Sequence, residues 1–353
     1  MKVDNIHYSL NKVLSYNKIF ALIISAREAG KSTAAWLYNY KQFTKGKTVL
    51  VIRRLIADIT ATYIEDVENI LNKFLDEPVK LEFKKGSIKD GVVDVYIEDK
   101  LFFRVIALSN PLSRIKSLML PNLSTIIFDE FICNTRLGEK YLTNEVFKFK
   151  EMFNTFQREA EKLRVIFLGN PYSLYNPYFS WLGVKTDKLY PGSFVVGDSY
   201  VIECYELSKE LKEYILSKNP LYKFDDSYTK YAFDGRAIND EFVQVEEKQP
   251  EGFQLRYVFY IQGKKLGIFR NNNNDAITNK DYYFYWVGII NDYKSDRRDI
   301  ACFDYNDLIA GNYLIGKEEK KAFAFLKTCF RFRNMRFKTI EESYLFEEIY
   351  DNI

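Results

Sequence analysis

A chain of 353 residues with 51 Lys+Arg against 48 Asp+Glu carries a net charge of only +3, which excludes bulk charge as a guide to partners and leaves any nucleic-acid surface to local placement of basic groups. Its 47% of hydrophobic residues exclude a disordered chain and leave ample material for sizeable cores, in two domains or in one large domain with an appendage. Four dispersed cysteines, Cys133, Cys204, Cys302 and Cys329, and a single histidine, His7, leave no Cys/His set for structural zinc, while a start without a leader-like apolar core and the lack of about 18 consecutive apolar residues predict a reducing, cytoplasmic setting with no membrane span.

In chain order, the apolar, β-branched run Ile19-Phe20-Ala21-Leu22-Ile23-Ile24 predicts a strand buried on both faces of a parallel sheet. The next residues, Ser25-Ala26-Arg27-Glu28-Ala29-Gly30-Lys31-Ser32-Thr33, end like the phosphate-binding pattern G-x-x-x-x-G-K-[ST], with Ser25 in place of the first glycine. A helix opens at Ser32, so backbone N–H groups face the phosphates, Lys31 adds a point charge and the Ser32 hydroxyl is the expected Mg2+ ligand. Thr48-Val49-Leu50-Val51-Ile52-Arg53-Arg54 reads as a second buried strand ending in two arginines. A helix over about 57–74 follows, and then alternation over 79–107 predicts antiparallel strands inserted into the α/β plan.

Thr125-Ile126-Ile127-Phe128-Asp129-Glu130 is an apolar strand ending in two acids. That is where such a site needs a carboxylate for Mg2+, Asp129, and a second one to orient or deprotonate water, Glu130. Helical spacing over 144–162 leads to the strand Val165-Ile166-Phe167-Leu168 and then Gly169-Asn170. Asn170 stands where a γ-phosphate sensor sits, though Gly-Asn-Pro is also an ordinary turn, and Arg158 reads on residue type alone as a solvated helix position. The 27 Tyr and 29 Phe, as in Tyr282-Tyr283-Phe284-Tyr285-Trp286, read as sheet residues rather than a base-stacking platform.

The loop "SAREAGKS", the strand "VLVIRR", "LPNLSTIIFDEF", "NEVFKFKEMFNTFQRE" and "RVIFLGNPYSLYNPYF" together resemble the genome-packaging ATPases of small protein-primed tailed phages, compact relatives of large terminase subunits. The resemblance implies a homo-oligomeric ring, usually a pentamer, that docks on the portal, or connector, of an empty capsid in the host cytoplasm and drives double-stranded DNA inward with ATP and Mg2+. Family loops commonly have a small residue other than glycine at the position of Ser25. By the same resemblance Gly30, Lys31, Ser32 and Thr33 bind nucleotide, and Asp129 and Glu130 are the Walker B pair. Arg158 becomes the arginine that reaches into the neighbouring subunit's site, and Asn170 matches the motif coupling hydrolysis to movement. Arg27 lies where relatives carry a basic loop residue, and Arg54 matches the basic strand end, a contact to nucleotide or to a neighbour. Arg114 and Lys116 fall in a loop that resembles one carrying pore-facing bases, with a plain solvated loop as the alternative.

In the second half, "LSKELKEYILSKNPLY" predicts a helical linker. Strand-like segments at 255–261, 266–270 and 282–290 follow in an order resembling the RNase H-like nuclease domain of large terminases. A working nuclease needs several carboxylates converging on two metal ions, yet Arg256-Tyr257-Val258-Phe259-Tyr260-Ile261 holds none, and Asp292, Asp296, Asp299, Asp304 and Asp307 lie in polar stretches. The basic tail Lys327, Arg331, Arg333, Arg336 and Lys338, interleaved with Phe330, Phe332 and Phe337, suits RNA, DNA or an acidic portal surface, or else one solvated face of a strand. The expected fold is therefore an α/β P-loop NTPase domain of terminase type with a parallel core sheet (1–205), a helical linker (206–241) and a small α+β RNase H-like vestigial nuclease and docking domain (242–353). Competing expectations are a terminase with an active Mg2+-dependent endonuclease and a nucleic-acid-remodelling ATPase or helicase; a nucleotide kinase lacks an acceptor site or lid.

Overall fold

The computed structural model describes residues 7–116, 118–135, 138–158, 160, 162–174, 176–218, 244–271, 284–291, 300–303, 307–331 and 334–353, and the chain falls into two compact units, Met1–Asn239 and Asp240–Ile353. Asp292, Asp296, Asp299, Asp304, Phe332 and Arg333 lie outside the described residues. Among the described residues no helix is long and apolar enough to cross a membrane.

The first unit begins with helix α1 (Asn11–Ser15), β1 (Phe20–Ser25), α2 (Lys31–Phe43), β2 (Thr48–Arg53), α3 (Ala61–Phe74) and β3 (Glu82–Phe83). It continues with β4 (Val92–Ile97), β5 (Lys100–Ala107), α4 (Leu112–Lys116), β6 (Leu123–Asp129), α5 (Glu145–Gln157) and β7 (Arg164–Gly169), and closes with α6 (Pro177–Leu182), β8 (Phe194–Val196), β9 (Tyr200–Tyr205) and α7 (Lys209–Lys218). Its sheet has the order β3-β4-β5-β2-β6-β7-β1-β9-β8. Six neighbouring strands, β5 to β9 in that order, run parallel, and β4 and β8 pair antiparallel at the two sides. The inserted hairpin is present as expected, with Glu98 and Asp99 in the left-handed turn conformation. Its second strand, β5, is however a full member of the parallel core beside β2.

All six residues of β1 and the first five of β2 are buried, which is why both read as unbroken apolar runs rather than alternations. One face of the sheet carries α2 and α3, through Ala35, Trp36, Ile64, Val67 and Leu71. The other carries α5 to α7, through Phe149, Met152, Phe156, Tyr178, Phe179, Leu211 and Ile215. Many of the aromatic residues are core, with Phe128, Phe149, Phe167 and Tyr178 packed ring on ring. Helix α7, expected in a linker, is packed into this first unit by Leu211 and Ile215; residues 219–243 lie outside the described residues.

The second unit holds β10 (Phe253–Ile261), β11 (Lys264–Asn271), β12 (Tyr285–Ile289), β13 (Ile300–Cys302), β14 (Asn312–Leu314), α8 (Lys317–Ala322), α9 (Ala324–Arg331), β15 (Met335–Phe337) and α10 (Ile340–Asn352). Its sheet order is β14-β13-β10-β11-β12-β15: an antiparallel meander from β10 to β12, with β13 and β14 parallel on the far side of β10, as the RNase H-like plan leads one to expect. The hairpin turn is Gln262-Gly263, both at positive φ, and Lys264 and Lys265 open β11. The basic tail is not one strand. Lys327 and Phe330 lie on α9, where Lys327 sits over the Tyr350 ring and Phe330 packs on Phe337 and Phe346, while Arg336 lies on β15.

Gly169, at the carboxyl end of β7, has no room for a side chain: a Cβ there would stand 2.7 Å from Phe131 Cε1 and 3.1 Å from Ile132 Cδ1. Gly169→Ala should destabilise the first unit by about 1–3 kcal/mol, the usual range for overpacking, read as a lowered denaturant midpoint with unchanged slope.

Candidate nucleotide site

Successive strand residues point to opposite faces. In β1 and β2, Ala21, Ile23, Val49 and Val51 pack toward α2 and α3, whereas Leu22, Ile24, Leu50 and Ile52 pack toward α5; Ile127, Ile166 and Leu168 continue the first set in β6 and β7. Carried to the strand ends, this alternation sends Ser25, Arg53, Asp129 and Asn170 to the α2 side and Arg54 to the α5 side.

Between β1 and α2, Gly30 caps the helix at φ 90°, and a Cβ on it would lie 2.7 Å from His7 Cβ. The segment before β1 braces the loop there, Tyr8 N–H donating to Ala29 O at 2.9 Å and the Tyr8 hydroxyl to Glu203 Oε2 at 2.6 Å. Ser25 is the last residue of a strand, in backbone that demands no glycine, and its buried hydroxyl donates to Ala26 O at 3.1 Å. This is why serine serves at the position of the first glycine.

Lys31 opens α2 and is buried. Its Nζ donates to Asn170 Oδ1 at 2.7 Å, with Ser25 O and Ala26 O each at 3.5 Å. Burial pushes its pKa down to about 8, against the pull of Asp129 and Glu130. Asn170 Nδ2 and Arg27 Nη2 both donate to the Tyr172 hydroxyl, at 3.3 and 2.7 Å, so the tip of β7 and the loop share one network. Ser32 and Thr33 follow, half-buried, in the first turn of α2, whose N–H groups have no intrahelical partner.

Asp129 ends β6; burial raises its pKa, and Arg53 opposes that shift. Arg53 reaches it with Nη1 at 3.6 Å and reaches Glu130 Oε2 with Nη2 at 2.8 Å. Glu130 is itself in the left-handed region, φ 56°, with its side chain 59% exposed. Arg53 also lies 5.1 Å over the Tyr63 ring, and Arg53 Nε and the Tyr63 hydroxyl are buried with no hydrogen-bond partner among the described residues. A buried ammonium at a helix start, a half-buried carboxylate whose charge desolvation disfavours and two buried donors fit a polyphosphate with a divalent cation.

Arg54 does not join this set. Its guanidinium is buried on the other face against Glu145 and two backbone carbonyls, so the expectation that it contacts nucleotide gives way, and Arg53 stands in the place foreseen for it. Arg158 caps α5 and is exposed. Helix α5 starts at Glu145, which bonds Arg54 at the carboxyl end of β2, and Phe153 already rests on Phe20 at the amino end of β1, 5.4 Å between rings. Arg158 therefore stands at the opposite edge of the sheet from Lys31. Lys116 and Arg114, on α4, are paired with Glu151 at 2.5 Å and Asp90 at 3.8 Å. Arg53, Tyr63 and Glu145 were not singled out from sequence; the Arg53-Arg54 doublet was the available signal, since adjacent strand residues must divide between the two faces.

The chain matches the family model for the Podovirus DNA encapsidation protein (Gp16) over residues 3–349. It is similar to the DNA packaging proteins of Bacillus phage PZA and Bacillus phage phi29, each 30% identical over 272 residues, or 76% of this chain and 77% of the relative. Its structure is similar to a chain of the bacteriophage Phi-29 viral genome packaging motor assembly, with a TM-score of 0.64, 24% identity and 99% of each chain covered. At that identity the likeness bears on the fold alone.

Lys31 sets a pH dependence of stability. Its folded pKa of about 8 lies below its ordinary value of 10.5, so between these values the unfolded chain binds more protons and stability rises with pH, being lost again as pH falls through about 8. Thermal melts from about pH 7 to about pH 10 should show Lys31→Met lacking the alkaline gain that the unsubstituted protein has.

Proposed function

The chain belongs to the podovirus DNA encapsidation protein family, and we propose that it is the ATP-hydrolysing subunit of the motor that drives double-stranded phage DNA into a preformed capsid. The observation that carries this reading is the convergence of Lys31, Asp129, Glu130 and Asn170 at one edge of a parallel sheet, on the face of α2.

In this reading Lys31, the loop around Gly30 and the first-turn N–H groups of α2, including those of Ser32 and Thr33, bind the phosphates. Arg27 and Ser25 shape the loop. The Ser32 hydroxyl and Asp129 would hold Mg2+, which when bound would neutralise charge on the phosphate oxygens. Glu130 orients the attacking water and takes its proton. Its Oε2 is bonded to Arg53 at 2.8 Å, so hydrolysis requires Arg53 to release it. Asn170 shares its oxygen with Lys31 and so registers the arrival of phosphate, which competes for the same ammonium.

Arg158 neutralises charge on the transferred phosphoryl group of the neighbouring subunit, an effect worth about 10³ to 10⁵ in rate. Its place at the far edge of its own sheet supports action in trans, because β1 alone separates the edges by roughly 17 Å. A ring follows, and five copies is the number the resemblance implies. Lys116 and Arg114 grip DNA phosphates on leaving Glu151 and Asp90, without regard to sequence and with steep loss in salt. The second unit docks on the portal, or on a structural RNA bound to it, in the host cytoplasm. Strand β10 carries no carboxylate, where a working nuclease of this plan needs one; this supports a domain that does not cut DNA.

ATP turnover by the purified protein should rise with double-stranded DNA, vanish in Glu130→Gln and leave the DNA uncut. Turnover that ignores both DNA and the substitution sinks the reading, and cut DNA replaces it with an active terminase. In mixed rings Arg158→Ala subunits should depress turnover out of proportion to their fraction; a linear decline rejects action in trans.

A further inference from the structure

Glu130 holds a backbone conformation, φ 56°, that residues with a Cβ avoid unless the surroundings impose it. Besides Glu130 N–H on Asp129 Oδ1 at 3.1 Å and Phe131 N–H on Leu168 O at 3.2 Å, the bend is gripped from the opposite face of the sheet from the loop. Arg54 Nη1 donates to Glu130 O at 3.0 Å and Nη2 to Phe131 O at 2.8 Å, so a single guanidinium grips the two consecutive carbonyls at this bend. The guanidinium is itself fixed: Glu145 takes Nε on Oε2 at 2.9 Å and Nη2 on Oε1 at 3.1 Å, and the rings of Tyr141 and Phe128 lie 5.2 and 5.7 Å from it. Glu145 is held in turn by Leu142 N–H at 2.8 Å and the Tyr178 hydroxyl at 2.7 Å. The side chains of Arg54 and Glu145 are only 9% and 1% exposed.

We propose that Arg54 and Glu145 are positioning residues for hydrolysis, fixing the backbone of Glu130 so that its carboxylate meets the attacking water. Adjacent arginines then act on one glutamate from two faces: Arg53 on its carboxylate, Arg54 on its carbonyl. Buried ion pairs by themselves are often replaceable by apolar side chains without loss of stability. Apolar side chains, however, cannot donate to two carbonyls. The forked shape matters for the same reason: lysine keeps the charge but cannot satisfy two carbonyls and a bidentate carboxylate at once.

The inference rests on Glu130 being the base of an ATPase, and the experiment separates the two. ATP turnover and binding of a fluorescent ATP analogue are measured for the unsubstituted full-length protein, Arg54→Lys, Glu145→Gln, Glu130→Asp and the Arg54→Lys/Glu130→Asp double variant, each checked for a cooperative melt. Since a displacement of about 1 Å costs on the order of 10²-fold, Arg54→Lys should lower kcat at least roughly tenfold while KM and analogue affinity stay within about twofold. Glu145→Gln, which leaves both carbonyl contacts available, should lower kcat less and serves if Arg54→Lys does not fold. Combined with Glu130→Asp, the loss should be smaller than the product of the two single losses, because both act through one group. Unchanged kcat, loss of analogue binding in step with kcat, or fully multiplicative losses would each overturn the positioning role while leaving the ATPase reading intact. Absence of turnover in the unsubstituted protein would overturn the ATPase reading and this one with it.

Discussion

Lys31 is a cation taken out of water at the start of a helix, just beyond a strand buried along its whole length, and the first unit is arranged around keeping it there. Burial alone pushes the ammonium toward neutrality. Asp129 and Glu130 pull the other way from the end of β6, and the Asn170 oxygen, just past the end of β7 between β6 and β1, accepts a hydrogen bond from the ammonium. None of these groups is close to Lys31 in sequence. A parallel sheet ordered β2-β6-β7-β1 brings their strand ends to one edge, and the alternation of side chains along each strand brings them to one face.

The same edge carries two guanidinium groups with opposite assignments. Arg53 lies among carboxylates and the Tyr63 ring, facing the phosphate loop. Arg54 lies in the core of the other face, where Glu145, two carbonyls and two aromatic rings take up its charge and most of its donors. Such a charge is tolerable in a protein interior only with this degree of satisfaction. Its consequence is a stiff floor beneath Glu130, with the freedom of the site left to the exposed carboxylate and to Arg53.

Helix α5 ties these features to the opposite edge of the sheet. Its first residue, Glu145, belongs to the Arg54 cluster, its buried face meets Phe128 and Phe167, and its last turn presents Arg158 to solvent. Rings packed to this extent transmit displacement rather than absorb it. The aromatic residues gathered in this core are accounted for by that packing.

Local chemistry was legible in the sequence. The strand, loop and helix around Lys31, the acid pair ending an apolar strand and the RNase H-like run of strands each declare themselves through hydrophobic period and residue type, which depend on near neighbours only. Side chains that meet through the fold were not legible in the same way. Arg53 and Arg54 are chemically identical neighbours, and only the packing of α2 and α3 on one face and α5 on the other decides which meets the carboxylates and which is locked beneath them. The basic tail split into a helix and a strand for a similar reason, since Phe330 and Phe337 turn toward Phe346 once α10 supplies a core to bury them. Sequence by itself determined which chemical groups the chain owns and the strand ends they occupy; tertiary structure decided which face each one serves, because a one-residue step along a strand reverses direction and only the layers packed against the sheet give that direction a meaning.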